Sequence, residues 1–361
     1  MTEIEGLFFE LIQVSLGNRV SLSRNPSEKE WKAMFAMAQK HAVEGIASVA
    51  LNELGEQSVR LPKRLLLEWI GTSEHIKYRN LIVNQRCNEL ETILGEGGFK
   101  CCVLKGQGTA LYYQNSLYRQ SGDIDVWVNG SRDSILSFAK SQRIQVGHVD
   151  IKHSDMDFFE DVPVEIHFIP SWMFSPVRNK RLQRFFMKQA DRQFENNDPE
   201  VGFTHTTVEF DLVFSLVHIY RHVFEEGVGL RQLLDYYHIL LHSNKEQRTD
   251  ALRVLKSLGM SLFVGGVMYV LQKCFHLESN FLLCEANERH GRFLLSEILV
   301  AGNFGHYDNR YQHKTSERRF SNGLITLKRD MRYLCYYPSE VLWMPFWKLW
   351  HWCWRKRKGY L

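Results

Sequence analysis

The stretch SGDIDVWV, Ser121-Gly122-Asp123-Ile124-Asp125-Val126-Trp127-Val128, decides how the rest of the chain is read. Ile124, Val126 and Val128 alternate with Asp123, Asp125 and Trp127, the period of two that gives a β-strand two distinct faces. Such an apolar strand belongs inside a sheet, yet one of its faces carries two carboxylates separated by a single residue. That spacing alone is weak, because polar residues commonly alternate outward on half-solvated strands. In an apolar strand it says more: two unpaired buried carboxylates repel, and burying them without a cation costs several kcal/mol. A divalent metal is the simplest compensation. All-oxygen ligands and substrate phosphates favour Mg²⁺, with Mn²⁺ as the alternative.

Downstream, VPVEIHF (residues 162–168) reads as a second strand that can lie beside the first. Glu165 is flanked there by Val164 and Ile166, and His167 is read as facing away from it. Three carboxylates, Asp123, Asp125 and Glu165, can hold two metal ions about 4 Å apart, one activating an attacking hydroxyl and the other bracing a triphosphate. Upstream, KCCVLK (residues 100–105) is a β-prone run followed by the glycine-rich GQG and a helical TALYY, a strand-turn-helix unit. Gly106 and Gly108 leave backbone N–H groups able to meet phosphate oxygens at a helix start, and Lys105 and Arg119 supply positive charge. The turn lacks the GxxxxGK[ST] spacing of a P-loop.

Outward from this centre the chain is mostly helical. Apolar residues recur at helix spacing in Trp31, Met34, Phe35 and Ala38 and again in Leu81, Leu90 and Leu94. Ser27 with Glu30 predicts a capped helix start, Gly95, Gly97 and Gly98 a helix end, and Ser131 the start of a helix reaching about Lys140. HVDIKHSDMDFF (residues 148–159) reads as one strand, separated from VPVEIHF by an acidic turn at Glu160 and Asp161. Thr206 and Glu209 make a capping-box pattern opening a further helix, and residues 189–202 form the most linker-like stretch. The expected organisation is an N-terminal helical segment over residues 1–85, an α/β core over 86–170 and a helical domain over 171–361.

The bulk numbers are consistent with this reading. The 361 residues exceed one typical domain, and 44% hydrophobic with 24% charged residues is an ordinary globular balance. A net charge of +4 is too small to require a nucleic-acid partner. Seven cysteines, odd in number and without a CxxC pair, argue for reduced structural thiols and a cytoplasmic protein. The first residues lack a basic region and a cleavage site, so no signal peptide is expected, and no run of about 18 apolar residues suggests a membrane span.

His218 and His222 lie four apart on one helix face, but no metalloprotease-type Glu follows His218, so a hydrogen-bonded or packed pair lining the cleft is favoured over zinc. Arg231 and Asp235 read as an i,i+4 pair. The functional reading of His218, His222 and Arg231 is substrate binding from the helical domain. Trp343, Trp347, Trp350, Trp352 and Trp354 crowd the region before the basic run Arg355 to Lys358. Helix packing is favoured there over a peripheral membrane or nucleic-acid contact. His148, His153 and His167 follow no ligand spacing.

LKGQGTALYY (residues 104–113), RQSGDIDVWV (119–128) and VEIHF (164–168), together with HIYRHVFEEGVGLRQLLDYYHIL (218–240) and GNFG (302–305), resemble the uncharacterised nucleotidyltransferase family of the polymerase-β-like superfamily. The resemblance covers most of the chain. It implies an α+β fold, a small mixed sheet with flanking helices, and Mg²⁺-dependent nucleotidyl transfer with Asp123, Asp125 and Glu165 as metal ligands. Gly106-Gln107 stands where the superfamily has Gly-Ser, with a longer gap to the aspartates. The expected reaction moves an NMP group from an NTP, ATP among them, to an unknown acceptor (a protein, RNA, sugar or small molecule) with pyrophosphate release. The alternatives are an inert nucleotide-binding or regulatory module on the same fold, and a metal-dependent phosphohydrolase.

Overall fold

Capping chemistry sets the first helices. In the computed structural model, which describes residues 2–55, 61–308, 310 and 330–360, α1 (Glu3–Ser15) begins at Thr2, whose hydroxyl accepts the Glu5 N–H while the Glu5 carboxylate accepts the Thr2 N–H. α2 (Glu28–His41) begins at Ser27 with the predicted return from Glu30. After α3 (Glu44–Glu53), the 34-residue α4 (Lys63–Glu96) buries Leu65, Trp69, Ser73, Ile76, Asn80, Val83, Cys87, Leu90 and Leu94. Steps of three and four make these one stripe along the helix. Gly98, at φ 79°, takes the left-handed conformation that closes α4, and the Phe99 N–H returns to the Leu94 carbonyl.

Among the described residues five short strands follow: β1 (Cys101–Val103), β2 (Ile124–Val128), β3 (Val146–Val149), β4 (His153–Met156) and β5 (Val164–His167), in the order β1-β2-β5-β4-β3. The β2–β5 pair is parallel and the other three pairs are antiparallel. α5 (Gln107–Ala110) is a single turn, shorter than the TALYY pattern suggests, and α6 (Arg132–Ser141) starts at Ser131 as predicted. The run HVDIKHSDMDFF is not one strand. Asp150 accepts the N–H groups of Lys152 (2.5 Å) and His153 (2.7 Å), and this Asx turn folds the run into the β3–β4 hairpin.

Among the described residues beyond the sheet the structure is mainly helical: α7 (Pro176–Phe194), α8 (Val208–Glu225), α9 (Leu230–Leu241), α10 (Lys245–Ser257), α11 (Ser261–Phe275), α12 (Glu288–Ala301) and α13 (Pro338–Lys358). α7 runs well into the expected linker, so only its second half is irregular. The cap of α8 shifts by one residue, to Thr207. Thr206 instead donates to Asp211, and Glu209 accepts from Arg192 at 2.8 Å.

This is an α+β architecture with a small mixed sheet flanked by N-terminal helices and a larger C-terminal helical region. Two apolar clusters hold it. One joins Val83, Cys87, Leu90 and Leu94 of α4 to Val103, Ile124, Val126, Ile166 and Ile135 beneath the sheet. The other joins the first helices, through Trp31 and Trp69, to Phe210, Phe214, Tyr236 and Phe263 of the C-terminal helices, and reaches Cys102 and Trp127 on the sheet's opposite face. Strand alternation thus turns Ile124 and Val126 toward α4 and leaves Asp125 on the face that meets the helical region.

Candidate active site

Parallel pairing places Asp125 of β2 directly opposite Glu165 of β5, and Asp123 stands one residue ahead of β2. One carboxylate oxygen from each of Asp123, Asp125 and Glu165 lies within 4.8 Å of the other two. Asp125 is buried at the floor, while Asp123 and Glu165 are partly exposed. The structure therefore brings together the three acidic residues singled out in the sequence.

It corrects the expectation of an unpaired carboxylate at Asp125. Lys105 Nζ lies 2.9 Å from Asp125 Oδ2, and His167 Nε2 lies 2.9 Å from Asp125 Oδ1. His167 also corrects its own reading: two residues on from Glu165 it shares that residue's face, as the strand period requires, and its Nε2 is 3.4 Å from Glu165 Oε2. On the neighbouring strand β4, His153 pairs across from His167 and sets its Nδ1 3.8 Å from the same Glu165 oxygen. His153, Glu165 and His167 form a second group whose ligand atoms converge within 4.8 Å. Neither histidine was assigned to the site from the sequence. The signal for His167 was the i,i+2 spacing in VEIHF; His153 needed the hairpin.

Charges partly offset one another within this cluster. Burial acts against the Lys105 ammonium, but Asp125, Asp123 and Glu165 outweigh it and raise its pKa. Burial likewise opposes ionisation of Asp125, and Lys105 reverses that, so its pKa falls. Glu165 is opposed by burial and held well below the usual carboxylate range chiefly by the His167 imidazole, whose Nε2 lies 3.4 Å away. His167 is penalised by burial, yet its hydrogen bond with Asp125 and the nearby Glu165 carboxylate raise its pKa. His153 Nδ1 has no hydrogen-bond partner among the described residues, and burial and then Lys152 lower its pKa to about 4.

The glycine turn divides in function. Gly106 (φ 58°, ψ −108°) borders the carboxylates, where a Cβ would sit 3.7 Å from the Asp123 carbonyl oxygen. Gly108 is buried against β1, its N–H donates to the Lys105 carbonyl, and a Cβ there would press on Val103 O at 3.3 Å. Its lack of a side chain serves packing. Arg119 is also committed: its guanidinium makes a bidentate pair with Asp235 (2.6 and 2.8 Å), which accepts from Tyr113 as well. The expected Arg231–Asp235 helix pair is thus replaced by a contact 116 residues apart in sequence. Arg231 instead donates to the Gln120 carbonyl at 2.9 Å, and its buried Nε has no hydrogen-bond partner among the described residues.

The helical region roofs the carboxylates. His218 and Arg231 border a narrow cavity of about 40 Å³ beside Gly106, Asp123 and Asp125. His218 and His222, with rings 4.3 Å apart, also line a broad cleft of about 820 Å³ that opens from Asp123 and Glu165. Burial, then His222, holds His218 well below its ordinary pKa. The cleft walls add residues that sequence reasoning did not place there: Lys152, Trp172, Arg221, Phe304 and, from α13, Trp347 and His351. Trp172 stacks on Trp347 at 3.7 Å, and the Arg221 guanidinium lies 3.6 Å over the Trp172 ring. These contacts join segments far apart in the chain.

A small mixed sheet with convergent carboxylates on one face, roofed by helices, defines a polymerase-β-like nucleotidyltransferase fold with candidate metal-binding clusters. A family model described as "Uncharacterised nucleotidyltransferase" matches residues 27–276, and the chain belongs to that family. The match spans every candidate residue from Lys105 to Arg231 and ends before α12 and α13. Among curated proteins, none matches the chain.

Proposed function

We propose that this protein is a metal-dependent nucleotidyltransferase that moves an NMP group from an NTP to an acceptor hydroxyl and releases pyrophosphate. The observation that carries this reading is the convergence of Asp123, Asp125 and Glu165 within 4.8 Å at the mouth of an open cleft, in a chain of nucleotidyltransferase family. The donor set fits a hard divalent cation: oxygen ligands, two of them on partly exposed side chains. Lys105 and His167, already drawn to Asp125, mark the same position as one that attracts positive charge. Mg²⁺ or Mn²⁺ held there supplies neutralisation of the triphosphate and activation of the acceptor hydroxyl.

In this reading the acceptor oxygen bonds to the α-phosphorus as its proton passes to water in the open cleft, while the bond from that phosphorus to the bridging oxygen breaks and the pyrophosphate leaves with the electron pair. His167 keeps Glu165 ionised, which suits a ligand better than a proton acceptor. Lys105, on the edge of the cleft, exchanges Asp125 for a phosphate as the partner of its ammonium group. Arg231, with an uncommitted buried Nε beside Asp123, takes the phosphate-contact role expected of Arg119, while Arg119 and Asp235 fix the turn on which the aspartates sit. His218 and His222 border the acceptor side of the cleft.

The pairing of Asp125 with both Lys105 and His167 favours a second reading, an inert nucleotide-binding module whose carboxylate is permanently neutralised. A screen of the purified chain with labelled NTPs and fractionated cell extract distinguishes them. Transfer of label with stoichiometric pyrophosphate, abolished by Asp123→Asn with folding intact, supports transfer. Tight NTP binding with no product from any fraction supports the inert module, and phosphate released without labelled acceptor marks a hydrolase.

A further inference from the structure

We propose that one face of α13 docks on an anionic lipid bilayer. On that helix Leu342, Trp343, Phe346, Leu349, Trp350 and Cys353 recur at steps of three and four and share one side, and all six are exposed, Phe346 by 67% and Leu349 by 64%. Single exposed apolar residues are ordinary; a contiguous stripe of this length is not. The opposite side is already used. Val341 and Met344 are buried in the core, Trp347 stacks on Trp172, and Trp347 and His351 line the cleft.

Charge complementarity selects the occupant. From Val341 to Tyr360 there is no Asp or Glu, and the last turn carries Arg355, Lys356, Arg357 and Lys358. Lys356 and Arg357 are exposed and continue the apolar stripe along the same side. Tryptophans over an apolar face with cations at one end match the headgroup boundary of an anionic membrane, where aromatic rings sit at the interface and cations meet lipid phosphate. A nucleic-acid platform would interleave its cations with the stacking rings, whereas here Leu342, Phe346 and Leu349 form a face without them. No helix of the described residues is long and apolar enough to cross a membrane, so α13 lies on the surface. Docking would hold the cleft wall made by Trp347 and His351 within one helix diameter, roughly 10 Å, of the headgroups.

The test is flotation of the full chain with vesicles of phosphatidylcholine alone or mixed with phosphatidylglycerol. The expected result is partition onto the mixed vesicles only. Phe346→Glu/Trp350→Glu and Lys356→Glu/Arg357→Glu should each lower it about tenfold or more while leaving the melting transition unchanged, and added salt should weaken it. The proposal is overturned by equal partition onto both vesicle types or by none on either. It is equally overturned by retention of single-stranded nucleic acid in place of vesicles, or by a concentration-dependent dimer that Phe346→Glu abolishes without any vesicle binding.

Discussion

Replacing Lys105 with Met removes the cation nearest Asp125 while keeping an unbranched side chain, and the structure sets the size of the effect. Lys105 Nζ is 2.9 Å from Asp125 Oδ2; the Asp125 side chain is 2% exposed and that of Lys105 21%. Deleting one partner of a buried pair costs roughly 3–5 kcal/mol. Here His167 still bonds Asp125 Oδ1 and Lys105 reaches solvent, so the metal-free variant should lose about 1–3 kcal/mol. The same change removes a competitor for the carboxylates. Divalent cation at about a hundred times its dissociation constant returns about 2.7 kcal/mol by mass action, so Mg²⁺ or Mn²⁺ should raise the melting temperature of Lys105→Met more than that of the parent. Thermal denaturation in chelator and in saturating metal measures both effects. A variant as stable as the parent in chelator and indifferent to either metal refutes the idea that cations hold this cluster together.

Two further outcomes follow from buried groups and a third from backbone conformation. Asp235→Asn strands the Arg119 guanidinium, 4% exposed, and should cost about 3–5 kcal/mol in urea unfolding, with Arg119→Met/Asp235→Leu recovering much of the loss. Asp211 is raised to about 7 by burial, against the hydrogen bonds from Thr206 and Tyr112. Its folded pKa lies above its unfolded value near 4, so the native state binds the extra proton: the stability it contributes is present below about pH 4 and lost as pH rises through about 7. Asp211→Asn should flatten that fall by about 2–4 kcal/mol between pH 5 and 8, and an unchanged pH profile contradicts it. Gly106→Ala places a Cβ where there is room but at φ 58° and ψ −108°, and should cost about 1–3 kcal/mol of stability from backbone strain.

The chemistry-bearing strand was legible because its two periodicities coincide: Ile124 and Val126 need a core while Asp123 and Asp125 need a cation, and only alternation serves both. Glu165 could be joined to them because VEIHF is short, apolar and similarly patterned, although its parallel registry with β2 is a property of the assembled sheet. Misplacing His167 was a counting matter, since residues two apart on a strand always share a face. The hairpin that delivers His153 turned on Asp150, whose side chain caps two backbone N–H groups. That local signal was outweighed by the continuous β-like texture around it. Arg119 was the harder case. Its position near the glycine turn suggested phosphate, but its partner Asp235 lies on α9, and no local pattern reveals a pairing across 116 residues. The cleft wall from α13 was hidden for the same reason.

Isothermal titration with Mn²⁺ and a non-hydrolysable NTP, comparing the parent with Asp123→Asn/Asp125→Asn, tests the central claim most directly. The parent should bind the nucleotide only when metal is present. The double variant, with its melting transition preserved, should lose that metal-dependent binding; nucleotide affinity that is equal in both proteins, or equal with and without metal, contradicts the assignment of these carboxylates.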